Sequence, residues 1–341
     1  MDLRRGWMNR KGLAQKRKFS WQSAGAELLA VCREGVDKGA NKAGAQVEIL
    51  EKRDDVQKIS VLILTLNEGR NIRNCLECVK WADEIIIVDS FSDDETTTIA
   101  REYTDKIFTY RRTGYADPAR QFALEQASNE WILAVDADEL VPRKLRDRLM
   151  ELSTSEYEAV LIPRKNYYWG HLMQGADLGD LQDLHVRFFK KHTMHYSDKI
   201  HDFVRLDENT RIYKLLDESC AFIHFNYVDF GQYLERLDRY TTIEAKSIAS
   251  SSKSISTVRL SFSLLYVLAR RFIVMKGYRD GVYGFAVSIL SSVYVLIAAL
   301  KSEIFRHYQS TNLKVLITKQ YQDIADEHIR KYEEAEIQGN V

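Results

Sequence analysis

Three carboxylates, Asp136, Asp138 and Glu139, fall within four positions directly after the apolar run WILAV at 131–135. Crowded carboxylates repel, so a chain that keeps them has something to offset the charge. In an extended segment side chains two apart point the same way, which predicts that Asp136 and Asp138 share a side while Ala137 faces the other. Two adjacent carboxylates can hold one divalent cation, and magnesium or manganese suits such a set because both favour oxygen ligands and accept phosphate oxygens as well. A cation bridging a diphosphate would neutralise the charge that builds on a departing nucleotide. The competing reading is that Asp138 and Glu139 only favour the start of a helix over PRKLRDRLM, with Pro142 in its first turn. Two other stretches are equally rich in side-chain oxygen, TLNEGR at 65–70 and DSFSDD at 89–94.

The elements that must position these stretches follow from periodicity. ISVLILTL, from residue 59, and EIIIVD, from residue 84, are β-branched apolar runs, the pattern of strands buried on both faces of a parallel sheet. A helix is predicted over Asn71–Trp81, another in SDDETTTIAREYT with its acidic start, then a strand IFTY, a helix near Pro118–Ala127 and the strand WILAV. Strands alternating with helices predict an α/β fold, a Rossmann-like, mostly parallel open sheet. Ligands of such sheets bind beyond the carboxyl ends of the strands, which is where all three oxygen-rich stretches fall. Further on, AVLIPR, LHVRFFKK and CAFIHF read as strands, and long helices follow from Asp229.

The 341 residues suit one large domain or two ordinary ones, and 49 Lys and Arg against 49 Asp and Glu give no argument for a nucleic-acid partner. The charge is uneven: residues 1–19 hold seven Lys or Arg against one Asp. Residues 1–55 read as a basic tail and linker, either drawn to anionic lipid or simply solvated. Four cysteines, at 32, 75, 78 and 220, suggest no disulfide framework and favour a reducing compartment. Cys75 and Cys78 lack a second ligand pair and read as helix residues, not a zinc site. The basic start runs into no apolar stretch, so no secretory signal is expected. Residues 281–300 carry no charge over about 20 positions, the length that spans a bilayer. Gly281, Gly284, Ser288, Ser291 and Ser292 form one small-residue face that could pack on another helix. The preceding Leu260–Met275, interrupted by Arg270 and Arg271 and followed by KGYRDG, suits an interfacial helix with a basic end. A membrane-associated hairpin at about 258–310 is preferred here over a buried hairpin of a soluble domain.

VLILTLNEGRNIRNCL, EIIIVDSFSDDETTTIA, RQFALEQASNEWILAVDADEL and LHVRFFKKHTMHYSDKIHDFV together resemble a family 2 glycosyltransferase of the GT-A fold. Within that family they are most similar to bacterial lipopolysaccharide-core and surface-polysaccharide β-glycosyltransferases. The resemblance covers about Ile59–Arg239, and RRFIVMKGYRDGVYGF is similar to a membrane-associated C-terminal segment of those enzymes. It implies that Thr65, Asn67 and Glu68 hold the nucleotide base and ribose, and that Asp89, with Ser90 beside it, bonds the base. Asp94 and Thr96 match an SxDxT pattern, with Glu95 where glycine is common. Arg120 matches an arginine near the diphosphate, Asp138 the principal metal ligand, and Asp136 a contact to ribose or metal; Mg2+ or Mn2+ is the implied cofactor. For the base that takes the acceptor's proton the resemblance leaves two aspartates, Asp183, which is preferred, and Asp202. Arg187 and His201 are the implied neighbours of phosphate or acceptor. His185 and His224 read as structural.

These implications define an inverting, metal-dependent glycosyltransferase. It would move a sugar from a nucleotide-diphosphate donor, a UDP-sugar by expectation, to a glycan or lipid-linked acceptor at the cytoplasmic face of the inner membrane. The implied organisation is a tail (1–55), a GT-A catalytic domain (56–235) and a helical C-terminal region (236–341). A single span at 281–300 stays open. So do a polyprenyl-phosphate glycosyltransferase and a catalytically silent scaffold of the same fold. A sugar nucleotidyltransferase would carry a glycine-rich basic loop after its first strand, which TLNEGRN is not.

Overall fold

A computed structural model describes residues 57–112, 117–179, 181–196, 205–250 and 256–337. The chain begins with β1 (Ile59–Thr65), α1 (Gly69–Val79), β2 (Glu84–Asp89), α2 (Thr96–Ala100), β3 (Ile107–Thr109), α3 (Asp117–Gln126) and β4 (Trp131–Asp136). These four strands are parallel, in the order β3-β2-β1-β4. Their side chains are buried on both faces because helices cover both. Ile59, Val61 and Ile63 pack with Ile72, Leu76 and Val79 of α1, whereas Leu62, Ile86 and Val88 pack with Ala119, Ala123 and Leu124 of α3.

Beyond β4 the sheet changes character. A two-residue turn leads to β5 (Glu139–Leu140), α4 (Arg143–Ser153), β6 (Ala159–Tyr168), β7 (His171–Leu172), β8 (Leu184–Lys190), β9 (Met194–His195), β10 (Arg205–Leu206), β11 (Ile212–Lys214) and β12 (Phe222–Tyr227). The ten-stranded sheet continues β4-β8-β6-β12-β5, with β7 and β11 on β6. Here β8 is antiparallel to both β4 and β6, and β5 is antiparallel to β12. The fold is thus α/β with a mixed sheet, parallel in its first half as the apolar runs predicted. Pro142 differs from expectation: its backbone is extended and it precedes α4 instead of lying in the first turn.

The C-terminal part consists of α5 (Phe230–Ala249), α6 (Thr257–Ala269), α7 (Gly281–Tyr308) and α8 (Leu313–Ile337). The small-residue face of α7 is buried at Gly284, Ser288 and Ser291, as its spacing predicted. Tyr294 OH donates to Glu244 Oε2 of α5 at 2.8 Å, Lys301 Nζ to Asp238 Oδ1 at 2.7 Å, and Ser292 Oγ to Leu264 O of α6 at 3.0 Å. Val287, Tyr294 and Ala298 join Tyr168, Tyr227 and Tyr233 in an apolar cluster that ties these helices to the ends of β6 and β12. The outward faces are bare and apolar, with Phe262 66% and Val282 72% exposed and Leu265, Phe285 and Leu300 also exposed. Gly277–Tyr308 is long and apolar enough to cross a membrane, and 44% of its most apolar window is buried. Arg271 departs from the sequence reading. A π turn at Arg270–Val274 carries its side chain inward, where Nη1 donates to Ala176 O at 3.0 Å, so it is no lipid-facing cation.

The indole of Trp131 stacks on Phe188 across the β4–β8 seam, centroids 4.4 Å apart and planes at 13°, and both are fully buried. Phe188→Ala leaves a cavity where the parallel half joins the mixed half. It should lower unfolding free energy by about 3–5 kcal/mol, read as a lower urea midpoint with unchanged slope.

Candidate active site

Direct pairing of Thr65 with Asp89 across β1 and β2 lets Thr65 Oγ1 donate to Asp89 Oδ1 at 2.8 Å. Ser92 completes that carboxylate's shell, its backbone N–H reaching Oδ2 at 2.8 Å and its hydroxyl reaching Oδ1. Asp89 is 1% exposed, so it braces the loop from within. The loops after β1 and β2 are stitched together. Asn67 N–H donates to Ser92 Oγ at 2.8 Å, Asp93 N–H to Asn67 Oδ1 at 3.0 Å, Glu68 N–H to Thr96 Oγ1 at 2.8 Å and Gly69 N–H to Asp94 Oδ2 at 2.9 Å. Asp94 Oδ1 also receives the backbone and hydroxyl hydrogens of Thr96. Asn67 tolerates the left-handed backbone it adopts, φ +56°, better than most side chains would. Ser90 O accepts from Arg112 Nε at 2.9 Å. Thr65, Asn67, Glu68, Asp89, Ser90 and Asp94 are therefore one shelf at the carboxyl ends of β1 and β2.

The two aspartates of DAD do not share a side. The chain leaves the strand at Ala137 and Asp138, which breaks the period of two, and each carboxylate meets different partners. Asp136 faces three guanidinium groups. Arg120 Nη2 lies 2.9 Å from Oδ1, Arg164 Nη2 lies 3.2 Å from Oδ2, and Arg187 bridges both oxygens. Glu139, fully buried in β5, accepts the Asp136 N–H at 2.8 Å, and its Oε1 lies 2.7 Å from Arg164 Nε. It thus sits in a strand, not at a helix start. Burial would raise Asp136, but Arg187 and Arg120 outweigh it and hold the carboxyl well below the ordinary range. Burial, and after it the neighbouring Asp136 charge, push Glu139 up against the pull of Arg187.

Asp138, also buried, faces His224 Nε2 and Arg236 Nη2, each 3.6 Å from one of its oxygens. Sheet register explains the histidine: His224 of β12 stands opposite Glu139 of β5 and beside Asn166 of β6. Its Nδ1 is 2.7 Å from Asn166 Oδ1. Asn166 Nδ2 in turn donates to Asp183 Oδ2 and to Leu178 O, both at 3.0 Å, and Asp183 Oδ1 faces His185 Nε2 at 2.6 Å. A continuous polar row thus links Asp138, His224, Asn166, Asp183 and His185. Burial disfavours charge on His224, yet Asp138, then Glu139 and Asp136, push it up to about 9. Burial would raise Asp183, but the charge and hydrogen bond of His185 and the amide of Asn166 keep it below its ordinary value. Burial and the nearby Asp138 charge raise Glu68.

The structure therefore brings together Glu68, Arg120, Asp136, Asp138, Asp183 and Arg187 from the sequence reading. His201 and Asp202 lie outside the described residues. Sequence reading did not single out Arg164, Asn166 or Arg236, and it placed His185 and His224 as structural. A signal existed in Arg164-x-Asn166-x-Tyr168, where polar and long side chains alternate along one buried face of β6.

The model of "Glycosyl transferase family 2" matches residues 60–202, from β1 past Asp183 and Arg187. Residues 60–202 are a family 2 glycosyltransferase domain. His224 and Arg236 lie beyond that glycosyltransferase match yet reach its Asp138. The lipopolysaccharide core biosynthesis glycosyltransferase LpsC of Rhizobium meliloti (strain 1021) is 27% identical over 250 residues, which is 71% of this chain and 91% of the relative. An uncharacterized glycosyltransferase of Rickettsia conorii is also 27% identical, over 69% of this chain and 86% of its own length. Among solved structures, the mannosyltransferase PcManGT of Pyrobaculum calidifontis, in complex with GDP-Man and Mn2+, is 17% identical with a TM-score of 0.46. That alignment covers 82% of this chain and 94% of the mannosyltransferase. The chain is a glycosyltransferase.

Removing the charge of Asp136 takes a partner from each of the three arginines that surround it, whereas among the described residues the cations nearest the Asp138 carboxylate, His224 and Arg236, lie at 3.6 Å. Breaking a buried ion pair by deleting one partner costs about 3–5 kcal/mol, and the 28% exposure of the Asp136 side chain places it at the lower end. Asp136→Asn should therefore lower the urea midpoint clearly more than Asp138→Asn; equal midpoints would remove the structural role given to the arginine cluster.

Proposed function

We propose that this enzyme is an inverting, divalent-cation-dependent glycosyltransferase of cell-surface polysaccharide or lipopolysaccharide synthesis. It would take its sugar from a nucleotide-diphosphate donor, a UDP-sugar in the first instance, and pass it to a glycan or lipid-linked acceptor. The observation that carries the reading is the polar row from Asp138 through His224 and Asn166 to Asp183, at the edge where the nucleotide shelf ends. The relative from Rhizobium meliloti, whose name assigns it to lipopolysaccharide core biosynthesis, supports the acceptor class.

The donor set fits a cation. Among the described residues no group of three or more His, Cys, Asp or Glu side chains could hold a metal. Asp138 is the carboxylate of the cluster whose partners stand furthest off, and magnesium commonly takes one or two protein ligands with water and substrate phosphates. When bound, Mg2+ or Mn2+ would supply Lewis-acid stabilisation of the diphosphate leaving group. Asp136 would contact the ribose or the cation from within its arginine cluster. The remaining roles belong to side chains. Thr65, Asn67, Glu68, Asp89, Ser90 and Asp94 form the nucleotide shelf. Arg120 and Arg187, which present guanidinium groups to Asp136, are the bidentate donors suited to phosphate oxygen. Asp183 takes the proton of the acceptor hydroxyl as its oxygen bonds the anomeric carbon and the bond to the diphosphate oxygen breaks, inverting that carbon. Asp202 is the second candidate for that role, and His201 for acceptor contact.

The catalytic part is assigned to 56–235 and the helical part to 236–341. We place the bare apolar faces of α6 and α7 against the cytoplasmic face of the membrane. Contiguous exposed apolar surface marks an interaction site, and a helix with one face buried in protein and one bare suits the interface.

Incubating the full-length chain with common nucleotide sugars and manganese should release nucleoside diphosphate with an acceptor present. Chelation and Asp138→Asn should each abolish the release without changing the thermal transition. Normal turnover by Asp138→Asn would sink the cation assignment. The double substitution Phe262→Glu with Val282→Glu should move the protein from the membrane pellet to the supernatant; unchanged pelleting would shift the anchor elsewhere.

A further inference from the structure

Asp280, in the turn before α7, is 4% exposed, and its charge is directed into the protein. Its Oδ1 accepts the Gln174 N–H at 2.7 Å and faces His171 Nε2 at 3.1 Å, while Oδ2 accepts the Gly175 N–H at 2.8 Å. Arg271 Nη1 donates to Ala176 O, and Ala176 N–H donates to Met275 O at 2.8 Å. The 270–281 segment is thus bonded to four consecutive residues, 174–177, Arg270 Nη1 lying 3.5 Å from Asp177 Oδ2. The fit leaves no room: a Cβ on Gly175 would lie 2.2 Å from Lys276 O, and one on Gly284 would lie 1.8 Å from Gly277 O. Gly281, at φ +54°, supplies the turn that starts α7 while Asp280 points back.

The segment so held is unusual in itself. Ala176 and Asp177 both adopt the left-handed region, φ +55° and +67°, a backbone that persists where its surroundings over-determine it. It leads into the polar row: Leu178 O accepts from Asn166 Nδ2, the amide that also bonds Asp183, and Gln182 N–H donates to Gly179 O at 3.0 Å. We propose that Asp280, backed by Arg271, is a positioning residue for the transfer reaction, holding the 173–179 loop so that Asn166 and Asp183 keep their places. This rests on the reading of Asp183 as the acceptor-side base. Within KGYRDG, Asp280 would then act from inside the fold, while Lys276 and Arg279 stay exposed.

Asp280→Asn keeps the size of the side chain but turns one acceptor oxygen into a donor facing a backbone N–H. Transfer kcat should fall about tenfold or more, the scale on which small misplacements cost rate. Donor KM and calorimetric affinity for the nucleoside diphosphate should stay as in the native chain. Amide hydrogen exchange should rise about tenfold within 173–183 and stay unchanged in β1 and α1. Arg271→Lys should act in the same direction more weakly. Native kcat in Asp280→Asn, native exchange in 173–183, or faster exchange throughout the chain with lost nucleotide affinity would each overturn the proposal. The exchange measurement needs no turnover. A native chain that transfers no sugar would overturn the assigned function, while local exchange would still show whether Asp280 holds the loop.

Discussion

Two carboxylates, Asp136 half-buried and Glu139 fully buried, stand among Arg120, Arg164 and Arg187, and this balance is the constraint that organises the site. Ions taken out of water cost several kcal/mol each unless partners repay it. The charged groups come from five elements: Arg120 from α3, Arg164 from β6, Arg187 from β8, and the carboxylates from β4 and β5. Charge therefore closes the seam at which the parallel half of the sheet meets the mixed half. Crowding at residues 136–139 is resolved mainly by guanidinium groups of the chain itself, which leaves Asp138 as the carboxylate with distant partners.

That division gives the two aspartates different work. Asp136 is locked by short contacts, while among the described residues the Asp138 carboxylate pairs with His224 and Arg236, both at 3.6 Å. A carboxylate with loose partners exchanges them for a ligand at smaller cost than one inside a tight cluster. Arg236 comes from α5, which packs on the apolar α7, so the helices with bare apolar faces also reach the candidate centre.

The parallel strands and their loops were legible because the signal is local. ISVLILTL and EIIIVD are covered on one face by α1, which follows β1 directly, and on the other by α3, which follows β3, and the oxygen-rich loops lie at their ends. The polar row was not legible. Asp183 and His224 lie 17 and 58 residues from Asn166 and meet it through the pairing of β6 with β8, which Asp183 directly precedes, and with β12, which no local pattern encodes. Period-two reasoning also failed at DAD, since the turn after Asp136 redirects Asp138. Arg271 misled for a similar reason: a basic residue beside an apolar helix looks lipid-facing until the π turn rotates it onto Ala176 O.

Asn166 spends both amide hydrogens, on Leu178 O and on Asp183, and so can offer His224 only an acceptor oxygen. The imidazole must therefore keep a hydrogen on Nδ1 whatever its charge. The one proton His224 can shed is on Nε2, the nitrogen that faces Asp138. A neutral ring then turns its lone pair toward that carboxylate, so the tautomer of the histidine is dictated by an asparagine on the neighbouring strand.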